Sequence, residues 1–305
     1  MELVGPEAVG LAVMVTGSGR TGASRGLFDG LVDDAGLFPP ERLPMDDAVR
    51  RHRADESAGN PVLTQRFLCP VSALGGLRAR LRPDERWRIG LIVDVGLDEL
   101  ATALRTVDAD ERLTLETIEL RLPGADDPRS AVEQVTALAS ATPSGAAVHV
   151  ELSPAVAGWE EALDAVADAG LSAKVRCGGL EVAAFPSPEQ LASFLIAAAR
   201  RGVAFKATAG LHHAVRYQDP RTGFPHHGFL NLLLAICAAA DGADVVEVAE
   251  VLLVDDGVAL AERARAVPPA TAARARSLFR AYGSCSTSEP VEDLTALGLL
   301  EVART

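Results

Sequence analysis

Eight short apolar runs of strand type alternate with longer stretches of helical pattern along this chain, and that alternation constrains the fold more than any other feature. The strand candidates are 30–36, 66–70, 89–95, 117–122, 147–152, 173–177, 203–208 and 279–285. Helix-patterned segments lie between them, among them 126–141, 159–170, 188–201 and 229–240, while 244–269 shows no clear period. Strands separated by helices pair in parallel, because each helical crossover returns the chain to the same end of the sheet. Eight such units close an α/β barrel of the (β/α)8 TIM type. The first 25 residues, with the run Thr16-Gly17-Ser18-Gly19-Arg20-Thr21-Gly22, read as a flexible extension, which leaves 26–305 as a single barrel domain. No GxGxxG follows a strand, which argues against an open dinucleotide-binding sheet.

Charge narrows the partners. The chain has 42 acidic and 29 basic side chains and a net charge of −13, so it offers no basic field to nucleic acid or to an anionic membrane. No apolar stretch reaches the roughly 18 residues of a membrane span. Four widely spaced cysteines, Cys69, Cys177, Cys237 and Cys285, suit a reducing cytoplasm better than a disulfide framework. The expected partner is a small anionic metabolite, and assembly into a homo-oligomer stays open.

Of the 29 basic residues only two are lysine, Lys174 and Lys206; the other 27 are arginine. Arginine replaces lysine on a solvated surface, but it cannot supply a neutral amine near neutral pH. Both lysines fall on adjacent strand candidates. Four consecutive strands here carry two polar residues at i, i+2: Glu119 and Arg121, His149 and Glu151, Lys174 and Arg176, Lys206 and Thr208. Alternate residues share a face, and a helix-covered parallel sheet has no wet face, so these pairs point into the barrel. Charges there are costly unless paired or functional. A neighbouring cation disfavours protonation, so one of the two amines is expected to titrate low and to attack a carbonyl.

The segment Phe205-Lys206-Ala207-Thr208-Ala209-Gly210 resembles the Lys-x-Ser/Thr-x-Gly Schiff-base motif of deoxyribose-phosphate aldolases and related class I aldolase barrels. Those enzymes also place a second lysine on a neighbouring strand. Their motif lysine precedes its partner, whereas Lys206 follows Lys174. The resemblance implies a lyase that forms an imine on Lys206 or Lys174, with no cofactor. Longer segments resemble a widespread, functionally uncharacterised bacterial family: 34–40 (DAGLFPP), 206–213 (KATAGLHH), 283–286 (GSCS) and 289–294 (EPVEDL).

Other residues fit around such an amine. Glu151 and His212 are candidates to move protons, with His213 beside them. Arg176 and Arg121 would clamp an anion, with Glu119, His149 and Thr208 lining the same wall. Gly178 and Gly179 would admit an anion to backbone N–H groups, and Ser284 lies in a second glycine-containing segment late in the barrel; each glycine equally suits a tight turn. Asp34 ends the first strand, as a site carboxylate or as a turn or cap residue. Four of the six histidines, His212, His213, His226 and His227, fall within 16 residues. They define the alternative, a divalent metal site with Glu151 or His149 serving a metal-dependent lyase, isomerase or hydrolase. A non-catalytic barrel with a satisfied ion network is the third reading.

Overall fold

The computed structural model describes residues 26–121, 145–179, 181–220 and 222–300, together with 132, 133 and 136. The expected extension (1–25) and nearly all of the expected helix 126–141 lie outside the described residues. Eight parallel strands form a closed barrel: β1 (Val32–Asp34), β2 (Leu63–Pro70), β3 (Trp87–Ile92), β4 (Leu113–Arg121), β5 (Ala147–Leu152), β6 (Ser172–Arg176), β7 (Phe205–Thr208) and β8 (Phe279–Ser284). Each pairs with the next in sequence, and β8 closes on β1 through Val32↔Tyr282 and Asp34↔Ser284. The chain is therefore a (β/α)8 barrel of TIM type, with helices on the outside.

Outward residues of strands that lie under the described helices are apolar and pack against them. Phe205 stacks on Phe279 and meets Phe194 edge-on from the helix Pro188–Arg201. Phe229, at the start of the helix Phe229–Ala240, stacks on Tyr282. Local signals set the boundaries of the helix Pro188–Arg201. The Ser187 hydroxyl accepts from the Gln190 N–H while the Gln190 side chain accepts from the Ser187 N–H, Pro188 opens the helix, and Gly202 ends it at φ 66°. The segment 244–269 resolves into two short helices, Val245–Leu253 and Gly257–Ala266, capped by Asp244 and Asp256, before a third begins at Pro269.

Two features shape the lumen. Gln65 takes a left-handed φ of 56°, and the β1–β2 register shifts there from Val32↔Leu63 to Asp34↔Phe67. At Gly90, a Cβ would lie 2.7 Å from Leu68 Cδ2 and closer still to Thr117 Oγ1, so the missing side chain leaves β3 low beneath its neighbours. All four cysteines are buried free thiols. Among the described residues, no helix is long and apolar enough to cross a membrane.

Candidate active site

The strand registers bring the charged residues of the lumen together: Glu119↔His149, Arg121↔Glu151, Glu151↔Lys174 and Lys174↔Lys206 are pairs across adjacent strands. Their side chains form a relay of alternating charge. At the deep end, Asp33 Oδ1 accepts from Thr64 Oγ1 at 2.6 Å and from Arg66 Nη1 at 2.9 Å. Its other oxygen, Oδ2, holds the Lys206 ammonium, which also pairs with Glu119 Oε1. Glu119 Oε2 lies 3.0 Å from Lys174 Nζ, and Lys174 lies 3.3 Å from Glu151 Oε2. Glu151 Oε1 then meets both Arg176 Nε and Arg121 Nε at 3.0 Å.

Exposure rises along the relay: the side chains of Lys206, Lys174, Arg176 and Arg121 are 1%, 6%, 30% and 68% exposed. Arg121 and Arg176 end their strands, so the exposed end is the C-terminal mouth, where barrel enzymes carry their catalytic groups. Lys206 therefore sits in the buried middle of the lumen and Lys174 one step nearer this mouth; on the other side of Asp33, Arg66 continues the pairing to Glu116 and the exposed Arg88.

The electrostatics differ from the sequence expectation at one lysine. Burial alone would depress Lys206, but Asp33 and Glu119 outweigh it and hold its pKa above the ordinary lysine value. Lys206 is thus a fixed cation, not the low-titrating nucleophile. Burial would raise Glu119, yet Lys206 and Lys174 hold it well below the usual carboxylate range. Burial likewise opposes ionisation of Glu151, and Lys174 and Arg176 overcome it, leaving its pKa lowered. His149 is 2% exposed; burial and the nearby Lys206 charge drop its pKa to about 3, so the imidazole is neutral.

Several expected site residues are placed elsewhere. Asp34 does not face the relay: its Oδ1 accepts from the Gly36 N–H at 3.0 Å and from Arg51, and its Oδ2 lies 3.0 Å from His52 Nδ1, which ties β1 to the helix Met45–Ala58. Adjacent strand residues face opposite ways, so the lumen receives Asp33 instead. His212 Nδ1 lies 3.8 Å from Cys285 Sγ, and His213 pairs with Asp293 at 3.4 Å. His226 Nδ1 lies 3.0 Å from the Gly210 carbonyl and His227 Nε2 lies 2.8 Å from that of Pro186. The rings of His212 and His226 lie 5.9 Å apart and His213 and His226 both contact Tyr217, yet among the described residues no group of three or more His, Cys, Asp or Glu side chains is placed to hold a metal ion. Burial lowers the His227 pKa to about 4.

Gly178 serves close packing: a Cβ there would lie 2.6 Å from Gly210 Cα, and its carbonyl lies 3.4 Å from Arg176 Nη1. A Cβ on Gly179 would lie 2.6 Å from Ala184 Cβ. Thr208 ends β7 opposite Arg176, and Ser284, buried opposite Asp34, has an Oγ without a hydrogen-bond partner. Of the adjacent Asp33 and Asp34, sequence reasoning prefers the second for the site, and it misses Arg66 and Thr64. The signal available was the acidic residue at the end of the first strand, read one position too late.

No family model and no curated protein matches the chain. A solved structure of a Flavobacterium johnsoniae chitobiase aligns over 88% of this chain at 14% identity, with a TM-score of 0.29. The alignment spans half the length of that protein, and a likeness this weak carries no argument about fold or chemistry. The barrel rests on its own strand pairing.

Proposed function

We propose that this barrel is a lyase of class I aldolase type acting on a small anionic carbonyl compound, with Lys174 as the imine-forming amine. One observation carries the reading: Glu119 bridges the two lysines, but only Lys174 also touches the Glu151–arginine cluster that leads to the mouth. Lys206 is the fixed cation of the pair, held by Asp33 and Glu119 away from the mouth. Lys174 passes its proton to Glu151, the neutral amine adds to the substrate carbonyl, and the carbonyl oxygen leaves as water. The resulting iminium accepts the electron pair released when a carbon–carbon or carbon–hydrogen bond breaks. The proton held by Glu151 goes to the departing oxygen, so the nitrogen keeps one proton and its charge. Arg176 and Arg121 hold the substrate anion. The buried free thiols support a reducing, cytoplasmic setting.

Borohydride trapping tests the reading. The protein is incubated with simple aldehydes and 2-oxo acids, reduced and digested. The expected result is a mass increase on the Lys174 peptide that Lys174→Met abolishes. Absence of an adduct with every carbonyl tried leaves only a satisfied ion network.

A further inference from the structure

The amine of Lys174 and the guanidiniums of Arg176 and Arg121 are bridged by the single carboxyl group of Glu151, amine on Oε2 and both Nε atoms on Oε1. The amine and the cationic clamp are therefore spaced by the two oxygens of one carboxyl group. Arg176 also brings Nη2 to 3.5 Å from Oε2, so its guanidinium already faces a carboxylate side-on.

That spacing restricts the substrate. A compound that offers its carbonyl carbon to Lys174 and its anion to the arginines must carry the two on directly bonded carbons. A phosphate ester separates carbonyl and anion by several atoms and overshoots the clamp. We infer that the substrate is a 2-oxo carboxylate, whose carboxylate replaces that of Glu151 on Arg121 and Arg176 while its keto carbon meets Lys174.

The exchange couples binding to activation. Glu151 is held ionised by Lys174 and by the two arginines. When the substrate carboxylate takes the guanidiniums, Glu151 retains Lys174 as its cationic partner and becomes the better proton acceptor. Its carboxylate takes one ammonium proton; the freed amine bonds to the keto carbon. The keto oxygen then departs as water with two protons, one from Glu151 and one from the nitrogen, which keeps its third proton and remains as the cationic iminium of Lys174. The substrate carboxylate thus both seats the keto carbon at Lys174 and releases Glu151 from the arginines. Arg121, at 68% exposure, is free to release Glu151 at little cost in packing.

This inference rests on the imine reading of Lys174, and the test separates the two. Initial rates of borohydride trapping are measured with pyruvate, acetaldehyde and glycolaldehyde phosphate, each divided by its rate with butylamine. The wild-type protein, Arg121→Gln, Arg176→Gln and the double variant are compared, with thermal melts alongside; the exposed Arg121 carries the result should Arg176→Gln fail to fold. The expected result is a normalised preference for pyruvate that falls about tenfold for each arginine removed, the effect of losing one charge-assisted hydrogen bond. Trapping at Lys174 with no preference for pyruvate, or a preference unaffected by these substitutions, overturns the inference and leaves the imine reading standing. Faster normalised trapping of glycolaldehyde phosphate than of pyruvate overturns it as well, in favour of a phosphorylated substrate. No adduct with any of the three overturns both.

Discussion

Glu119 holds Lys206 on one carboxylate oxygen and Lys174 on the other, so two ammonium groups from neighbouring strands are joined through one buried anion. Everything chemical in the lumen depends on that bridge. Glu119→Gln removes the charge while keeping the shape, and leaves two cations facing each other without their shared counter-ion. Breaking a buried pair of this kind costs about 3–5 kcal/mol. Urea denaturation measures it; a loss within experimental error shows that the bridge contributes nothing.

Lys206→Met removes the cation shared by Asp33 and Glu119, leaving Asp33 to Arg66 and Glu119 to Lys174, and is expected to destabilise the barrel by about 3–5 kcal/mol. The Lys174 peptide remains the trapped one, at a reduced rate, because Lys206 acts through its charge and forms no bond to substrate. Mass mapping of wild type and variant distinguishes this from a direct role: an adduct on the Lys206 peptide of the wild-type protein reverses the assignment of the two amines.

Asp33→Asn and Asp34→Asn separate the two faces of β1. Asp33 holds Lys206, so its variant slows trapping as well as lowering stability. Asp34 holds Arg51 and His52 outside the lumen, so its variant lowers stability by about 1–3 kcal/mol and leaves the trapping rate of the folded protein unchanged. Equal rate losses in both variants contradict this division.

Acid sensitivity follows from the imidazoles of His149 and His227. Burial, aided at His149 by Lys206, lowers their pKa values from 6.5 to about 3 and about 4. Between those values and 6.5 the unfolded chain binds protons that the folded chain refuses. Stability from these groups is therefore complete above pH 6.5 and falls on acidification, by at most about 1.4 kcal/mol per pH unit for each imidazole. The lowered carboxylates Glu119 and Glu151 add to the same slope below about pH 4.5. Denaturation curves from pH 7.5 to 5 show the decline, and His227→Gln makes it shallower.

Gly210 and Gly202 both adopt left-handed φ, at 73° and 66°. A Cβ at Gly202 meets nothing within 4 Å, whereas at Gly210 it would lie 2.5 Å from the Cys177 carbonyl oxygen. Gly202→Ala is expected to cost about 1 kcal/mol, the left-handed penalty alone. Gly210→Ala adds a backbone clash and costs a further 1–3 kcal/mol or so. Thermal melts of the pair check the order.

The eight strands were legible because strands buried on both faces read as apolar runs, and because lumen charges interrupt four of them at i, i+2. The same double burial hid Asp33. All three residues of β1 are buried, so alternation gives no sign of which aspartate faces inward, and the bulge at Gln65 blurs the parity of β2. The pair of helices in 244–269 escaped notice since Val246 and Val258 are 65% and 68% exposed, which smears the apolar stripe by which a helix is recognised. Pairing partners lie beyond local pattern: that Lys206 is clasped by carboxylates from β1 and β4 depends on closure of the whole barrel.

That closure has an evolutionary and practical corollary. Cut between β4 and β5, the gene would yield one fragment carrying Asp33 and Glu119 and another carrying Lys174 and Lys206, each hiding charge whose complement went with the other piece. Arg66 stays with Asp33 and Glu151 with Lys174, but Glu119 is parted from both lysines. Co-expressed as separate polypeptides, the two halves are expected to associate through that missing charge, and co-purification checks it.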